Sequence, residues 1–137
     1  MTTDTAAADT ITEERLADLL ADQTIPSAHR ALWALLWDGD IRVSEALSMD
    51  VRDIDLAART AIVEFRAKPD DTVVPVSERA AELLREAFAG ETAGPALHLS
   101  GRPISRHGAV LKARATGYSI HAFRSSGRAR RLGALGT

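Results

Sequence analysis

Apolar positions in the first third of the chain recur with the 3.6-residue period of helices. Leu16, Leu19 and Leu20 form one stripe, while Leu32, Trp33, Leu35, Leu36 and Trp37 crowd a second segment with more apolar surface than one stripe needs. Thr10 and Glu13 have the spacing of a capping box, so the first stripe predicts a helix to about Asp22. Ser27 is placed to cap the second helix, the expected centre of the core. That helix stops at Asp38-Gly39-Asp40, where glycine can take the positive φ that ends a helix. A short third helix is expected from Val43 to Met49.

The period then changes. Thr60 to Phe65 and Thr72 to Val76 are rich in β-branched and aromatic residues and flank the turn-rich Arg66-Ala-Lys-Pro-Asp-Asp71, which predicts a β-hairpin with Lys68 near its tip. Pro75 confines the second strand to an edge or its own end. Ser77 caps an amphipathic helix through Ala89, closed by Gly90. Ala96 to Pro103 holds a very short strand and a turn. Ser105 caps a helix through Val110, Leu111 and Arg114, which Gly117 breaks. A last helix starts around His121, with Arg124, Arg128 and Arg131 along one side, and Gly127, Gly133 and Gly136 are expected to make it fray. The pattern is that of a mainly α protein with a small antiparallel β-hairpin or sheet (α+β). Residues 1–9 are small and polar and read as a disordered tail, ahead of a single domain over 10–137.

Composition sharpens this picture. The chain has 137 residues, 45% of them apolar, which suits one domain with a real core. It has no cysteine, which excludes disulfides and thiolate metal sites. The longest apolar run, Ala31 to Trp37, is too short to cross a bilayer, and the N-terminus is acidic and polar. These features read as a soluble intracellular protein with no membrane partner. The net charge of −2 hides a strong polarity. Up to Glu91 there are nine Lys and Arg against all nineteen Asp and Glu, giving −10; beyond it there are eight cations and no carboxylate, giving +8. An acid-free basic third is the footprint of a surface that meets phosphate, although the two parts could equally neutralise one another across the fold.

Arg42 lies between a Gly-containing turn and a short helix. Its guanidinium is a fixed fork of donors that does not deprotonate, suited to a phosphate or carboxylate oxygen pair. The same position suits an ion pair with Glu45, one helical turn on. No internal repeat, Gly-rich phosphate loop, metal-ligand cluster or Ser–His–Asp set is present, so no cofactor or metal is expected.

Four stretches, in order, resemble the catalytic domain of the tyrosine recombinases, or phage integrases. They are Asp38-Gly-Asp-Ile-Arg-Val-Ser-Glu-Ala-Leu47, Val51-Arg-Asp-Ile-Asp-Leu56, the hairpin ending Val73-Val-Pro-Val76, and His121-Ala-Phe-Arg124. The resemblance runs from about Thr24 and is strongest over 24–131. It implies that Arg42 and Arg124 grip the two non-bridging oxygens of a scissile phosphate. Lys68 would be the general acid toward the leaving hydroxyl, His121 would assist proton transfer or bind the phosphate, and Glu45 would hold the first arginine helix in place. Two forked cations suit the charge of a pentacoordinate phosphorane, and lysine can surrender a proton where arginine cannot. Duplex DNA is the implied partner, bound weakly and in a salt-dependent way. Arg102, Arg106, Lys112, Arg114, Arg128 and Arg131 are expected on its backbone, in the prokaryotic cytoplasm near the nucleoid.

The family pattern continues past His-x-x-Arg to a tyrosine nucleophile. Here thirteen residues follow Arg124, with no tyrosine among them, and the single tyrosine, Tyr118, precedes the motif. The expectation is therefore a catalytically incomplete DNA-binding protein. Alternatives are a domain active only with a tyrosine supplied in trans by a full-length recombinase, or a non-DNA interaction module or decayed integrase fragment that uses exposed apolar surface to dimerise or bind a protein. A marginal monomer, a self-associating one, or a tail folded back over that surface is expected, with Leu132 and Leu135 covered rather than exposed in a highly stable monomer.

Overall fold

The computed structural model describes residues 8–63 and 72–136. The elements run α1 (Glu13–Ala21), α2 (Ser27–Gly39), α3 (Val43–Leu47), a 3₁₀ turn (Val51–Asp53), β1 (Ile54–Asp55), β2 (Thr60–Ile62), β3 (Val73–Pro75), α4 (Glu78–Phe88), β4 (His98–Leu99), β5 (Arg102–Pro103), α5 (Arg106–Ala115) and α6 (Ile120–Gly136). The protein is mainly helical with small antiparallel sheets, as its periodicity predicts.

Helix α2 is the axis of the core. Ala28 to Trp37 are all buried, and α4 and α6 make the most extensive packing against it. The indole of Trp33 stacks on Phe123 of α6 with ring centroids 4.9 Å apart and planes within 2°. Both Trp33 and Trp37 are therefore core residues. Arg30 is buried within α2 and fully engaged: Nε donates to the Ile25 carbonyl, one terminal nitrogen to the Leu20 carbonyl and the other to Glu86 of α4. The buried charge is compensated by hydrogen bonds in every direction. Asp38 joins the far end of α2 to α4, accepting two bonds of 2.7 Å from Arg79 and one from Ser77.

Several local expectations change. The cap of α1 is Thr12, whose hydroxyl accepts from the Arg15 N–H, rather than Thr10; Ser27 is the first residue of α2, and Pro26 precedes it without a side-chain cap. At the end of α2 the left-handed residue is Asp40, at φ 54°, and not Gly39. The hairpin strands belong to a three-stranded sheet of order β1-β2-β3, since Ile54 and Asp55 pair with Ala61 and Thr60. Pro75 ends β3 on the sheet edge, where its missing N–H costs nothing. Ala8 pairs with the α5–α6 connection, donating to the Gly117 carbonyl and accepting from Ser119, so ordered contacts begin within the expected tail. Residues 1–7 lie outside the described residues.

The largest change is in α6. Gly127 is buried, and a β-carbon there would fall 2.8 Å from the Trp37 Cα, so glycine is what lets α6 cross α2 this closely. The residue expected to weaken the helix instead permits its main packing contact.

Candidate phosphate site

Arg42 occupies the N-cap position of α3 in extended conformation, and its N–H donates to Glu45 Oε1 at 2.9 Å. Glu45 thus closes the first turn of the helix through the backbone of Arg42. Arg42 is exposed. It lines a cleft of ≈ 270 Å³ together with Ser44, Glu45, Ser48, Met49, Asp53 and Ile62. Ile62 ends β2, and Val63 just beyond it donates to the Thr72 carbonyl at 2.6 Å, so the hairpin is closed at the rim of this cleft. Lys68 lies between those two residues and outside the described residues.

Arg124 arrives from α6. Its Nε donates to the Asp40 carbonyl at 3.3 Å and sits 3.1 Å from Asp40 Oδ1. The His-x-x-Arg segment is thereby docked on the turn that leads directly into Arg42, two residues further on. His121 is exposed on the first turn of α6, three residues before Arg124 and hence on the same side. Phe123, between them, is fully buried against Trp33 and fixes the rotation of this turn. Asp40 had only its place in Asp-Gly-Asp to mark it in the sequence, where it read as part of a helix-ending turn.

The remaining cations divide into two groups. Arg130 pairs with Glu13 at 2.6 Å, and Arg131 donates to the Trp37 carbonyl and approaches Asp40 Oδ1 at 3.7 Å. These contacts and that of Arg124 are neutralisation across the fold. Arg102 on β5, Arg106, Lys112 and Arg114 on α5, and Arg128 on α6 make no ion pair among the described residues. All but the half-buried Lys112 are exposed. The neutralisation reading therefore holds for Arg124, Arg130 and Arg131.

Two larger clefts lie elsewhere. One of ≈ 410 Å³ runs between α1 and α4; another of ≈ 510 Å³ lies between α2, α5 and the β4–β5 hairpin. The second is lined by His29, which is buried with its Nδ1 unpartnered. Burial, and to a smaller extent the charge of Lys112, pushes its pKa down to about 4. Arg42 lines the cleft of ≈ 270 Å³, whereas Asp40, His121 and Arg124 are not among the residues that line it. Among the described residues no group of His, Asp or Glu could hold a metal ion, and no helix is long and apolar enough to cross a membrane.

A sequence model described as the phage integrase family matches residues 9–124. The chain belongs to that family. The match takes in α1, which the motif resemblance had left outside, and it closes on Arg124. No curated protein matches. Among solved structures, XerA recombinase shares the fold at a TM-score of 0.76 and 14% identity, over 99% of this chain and 54% of that one. The Tn1549 transposon integrase, solved in complex with transposon right end DNA, does so at 0.65 and 16%, over 95% of this chain and 54% of that one. A complex of the same integrase with circular intermediate DNA gives 0.62 and 15%, over 97% and 55%. This integrase-family chain thus spans just over half the length of the structures it matches. It is a domain of the site-specific recombinase type, built on the tyrosine recombinase fold.

Proposed function

We propose that this domain binds duplex DNA by its backbone, with Arg42 and Arg124 gripping the non-bridging oxygens of one phosphate. The observation that carries the reading is the docking of Arg124 on Asp40, which delivers the second arginine to the turn bearing the first. His121 contributes a further donor from the same helix turn, and Lys68, between β2 and β3 in the chain, is the acid toward a leaving hydroxyl. Arg102, Arg106, Lys112, Arg114 and Arg128 add contacts to neighbouring phosphates. The DNA complexes of the Tn1549 integrase support DNA as the partner. The reading places the domain in DNA recombination or integration, in the cytoplasm of a prokaryote carrying a mobile element.

These residues hold phosphate and do not by themselves cut. Tyr118 is half-buried, its ring edge-on to Phe123 with centroids 6.3 Å apart, and is no exposed nucleophile. A phosphotyrosyl intermediate would need a nucleophile other than these residues. Titration of labelled duplex DNA across a salt series tests the binding. Affinity is expected to fall steeply as salt rises, as counterion release requires; binding that is absent, or indifferent to salt, contradicts the proposal. With suicide substrates the domain alone is expected to give no covalent adduct, and an adduct lost in Tyr118→Phe overturns the non-cutting part. An adduct that needs an added recombinase would make the domain one part of a shared enzyme.

A further inference from the structure

Asp40 stands in the left-handed region, at φ 54° and ψ 32°, at the C-terminal end of α2. Glycine adopts this conformation freely, whereas a residue with a β-carbon occupies it at a cost. Gly39, one position earlier, leaves the strained geometry to the aspartate. What the aspartate adds is a carboxylate between two guanidinium groups. Its Oδ1 is shielded from solvent, 3.1 Å from Arg124 Nε and 3.7 Å from an Arg131 terminal nitrogen, with no aligned hydrogen bond to either. The attraction at that oxygen is therefore coulombic, and the Arg124 N–H is aimed at the Asp40 backbone carbonyl instead.

An arginine has a single N–H at Nε and four more on its terminal nitrogens. Asp40 occupies the Nε edge of Arg124 from both its carbonyl and its carboxylate, while the terminal nitrogens make no hydrogen bond among the described residues. We propose that Asp40 is a positioning residue for phosphate capture. It pins Arg124 by its inner edge so that the outer edge is presented, already oriented, to two oxygens of one phosphate. The carboxylate does not repel the incoming anion on balance, because Arg131 shares it and the cluster of two guanidiniums and one carboxylate stays net positive. Arg131 is itself held by the Trp37 carbonyl at the end of α2, so the cluster is fastened to the central helix.

The inference rests on reading Arg124 as a phosphate ligand, and its test separates the two. Asp40→Gly keeps the left-handed backbone and removes only the carboxylate. Its affinity for fluorescein-labelled duplex DNA is expected to drop, by less than the about tenfold of Arg124→Ala because the Asp40 carbonyl still accepts from Nε–H. The double variant is expected to bind no more weakly than Arg124→Ala alone. Asp40→Asn, which tolerates the same backbone, should show a smaller loss in the same direction. Tighter or unchanged binding in Asp40→Gly, or losses that multiply in the double variant, overturns the positioning role. A DNA-independent measurement runs beside it: with the carbonyl acceptor kept and only the carboxylate removed, the Nε–H of Arg124 should exchange with solvent several-fold faster in Asp40→Gly, read by heteronuclear NMR. An unchanged exchange rate overturns the anchoring by the carboxylate. Failure of the wild-type domain to bind any duplex, with the NMR change present, would instead sink the phosphate reading and the capture role built on it, leaving only the anchoring.

Discussion

Arg124 reaches back across 84 positions to Asp40, lying 3.1 Å from its carboxylate and donating to its carbonyl at 3.3 Å. One turn of chain therefore serves two cations: it is the anchor of Arg124 and the lead into Arg42. Helix α6 can make this contact only because Phe123 and Gly127 seat it against α2, and each seating residue gives a measurable consequence.

Phe123 is fully buried and stacked on Trp33, between His121 and Arg124 in sequence. Phe123→Ala should cost about 3–5 kcal/mol of stability, from lost burial and the cavity left behind. Chemical denaturation should show the midpoint falling with an unchanged slope. A variant as stable as wild type would mean that α6 is not packed as described.

Gly127 and Gly133 should respond with opposite signs to the same change. Alanine is the better helix former by about 1 kcal/mol, and at Gly133 nothing lies within 4 Å of the added carbon, so Gly133→Ala should stabilise. At Gly127 the carbon meets the Trp37 backbone, which cannot yield as a side chain can, so Gly127→Ala should destabilise by about 1–3 kcal/mol. Melting temperatures of the two variants decide this, and a shared sign contradicts it.

Burial holds the pKa of His29 near 4, well below the unfolded value of about 6.5. The unfolded chain therefore takes up a proton first as pH falls. The stability associated with neutral His29 is complete above about pH 6.5 and is lost progressively down to pH 4, by up to about 3 kcal/mol. Denaturation midpoints over that range should fall for wild type, and the part due to this residue should vanish in His29→Gln. An identical pH profile in the variant would contradict the assignment.

Arg128 and Arg131 share a helix and differ in surroundings. Arg131 donates to the Trp37 carbonyl, so Arg131→Ala should lower stability by roughly 1.5–3 kcal/mol. Arg128 is exposed and without an ion pair among the described residues; Arg128→Ala should stay within about 0.5 kcal/mol of wild type while flattening the salt dependence of DNA binding by about one. Loss of stability in Arg128→Ala, or none in Arg131→Ala, would reverse these roles.

That last pair shows where the sequence stops being readable. Helical spacing correctly sets Arg124, Arg128 and Arg131 along one side, but spacing is silent on what each cation faces, and two of the three turn out to face Asp40. Helix α2 was legible because Leu32, Trp33, Leu35, Leu36 and Trp37 leave a strong apolar signal, whereas the burial of His29 and Arg30 beside them was not, and Ser77 and Ser105 were legible as caps because their hydroxyls act locally. Strand β1 was not, since two residues carry no period and the strand exists only through its pairing with β2. Gly127 read as a helix weakener because propensity is a local quantity, whereas its fitness depends on a backbone ninety positions away. The order of the four motifs pointed to the family, while the anchoring of Arg124 emerges only from tertiary packing.

If Arg42 and Arg124 hold one and the same phosphate, a double-mutant cycle on DNA affinity at fixed salt will show it. Each single change to alanine should weaken binding by about tenfold or more, as expected for a charged hydrogen-bonding group. The double variant should fall well short of the product of the two losses, because residues sharing one partner couple. Losses that multiply cleanly would place the two arginines on separate phosphates, and full binding by the double variant would contradict the account outright.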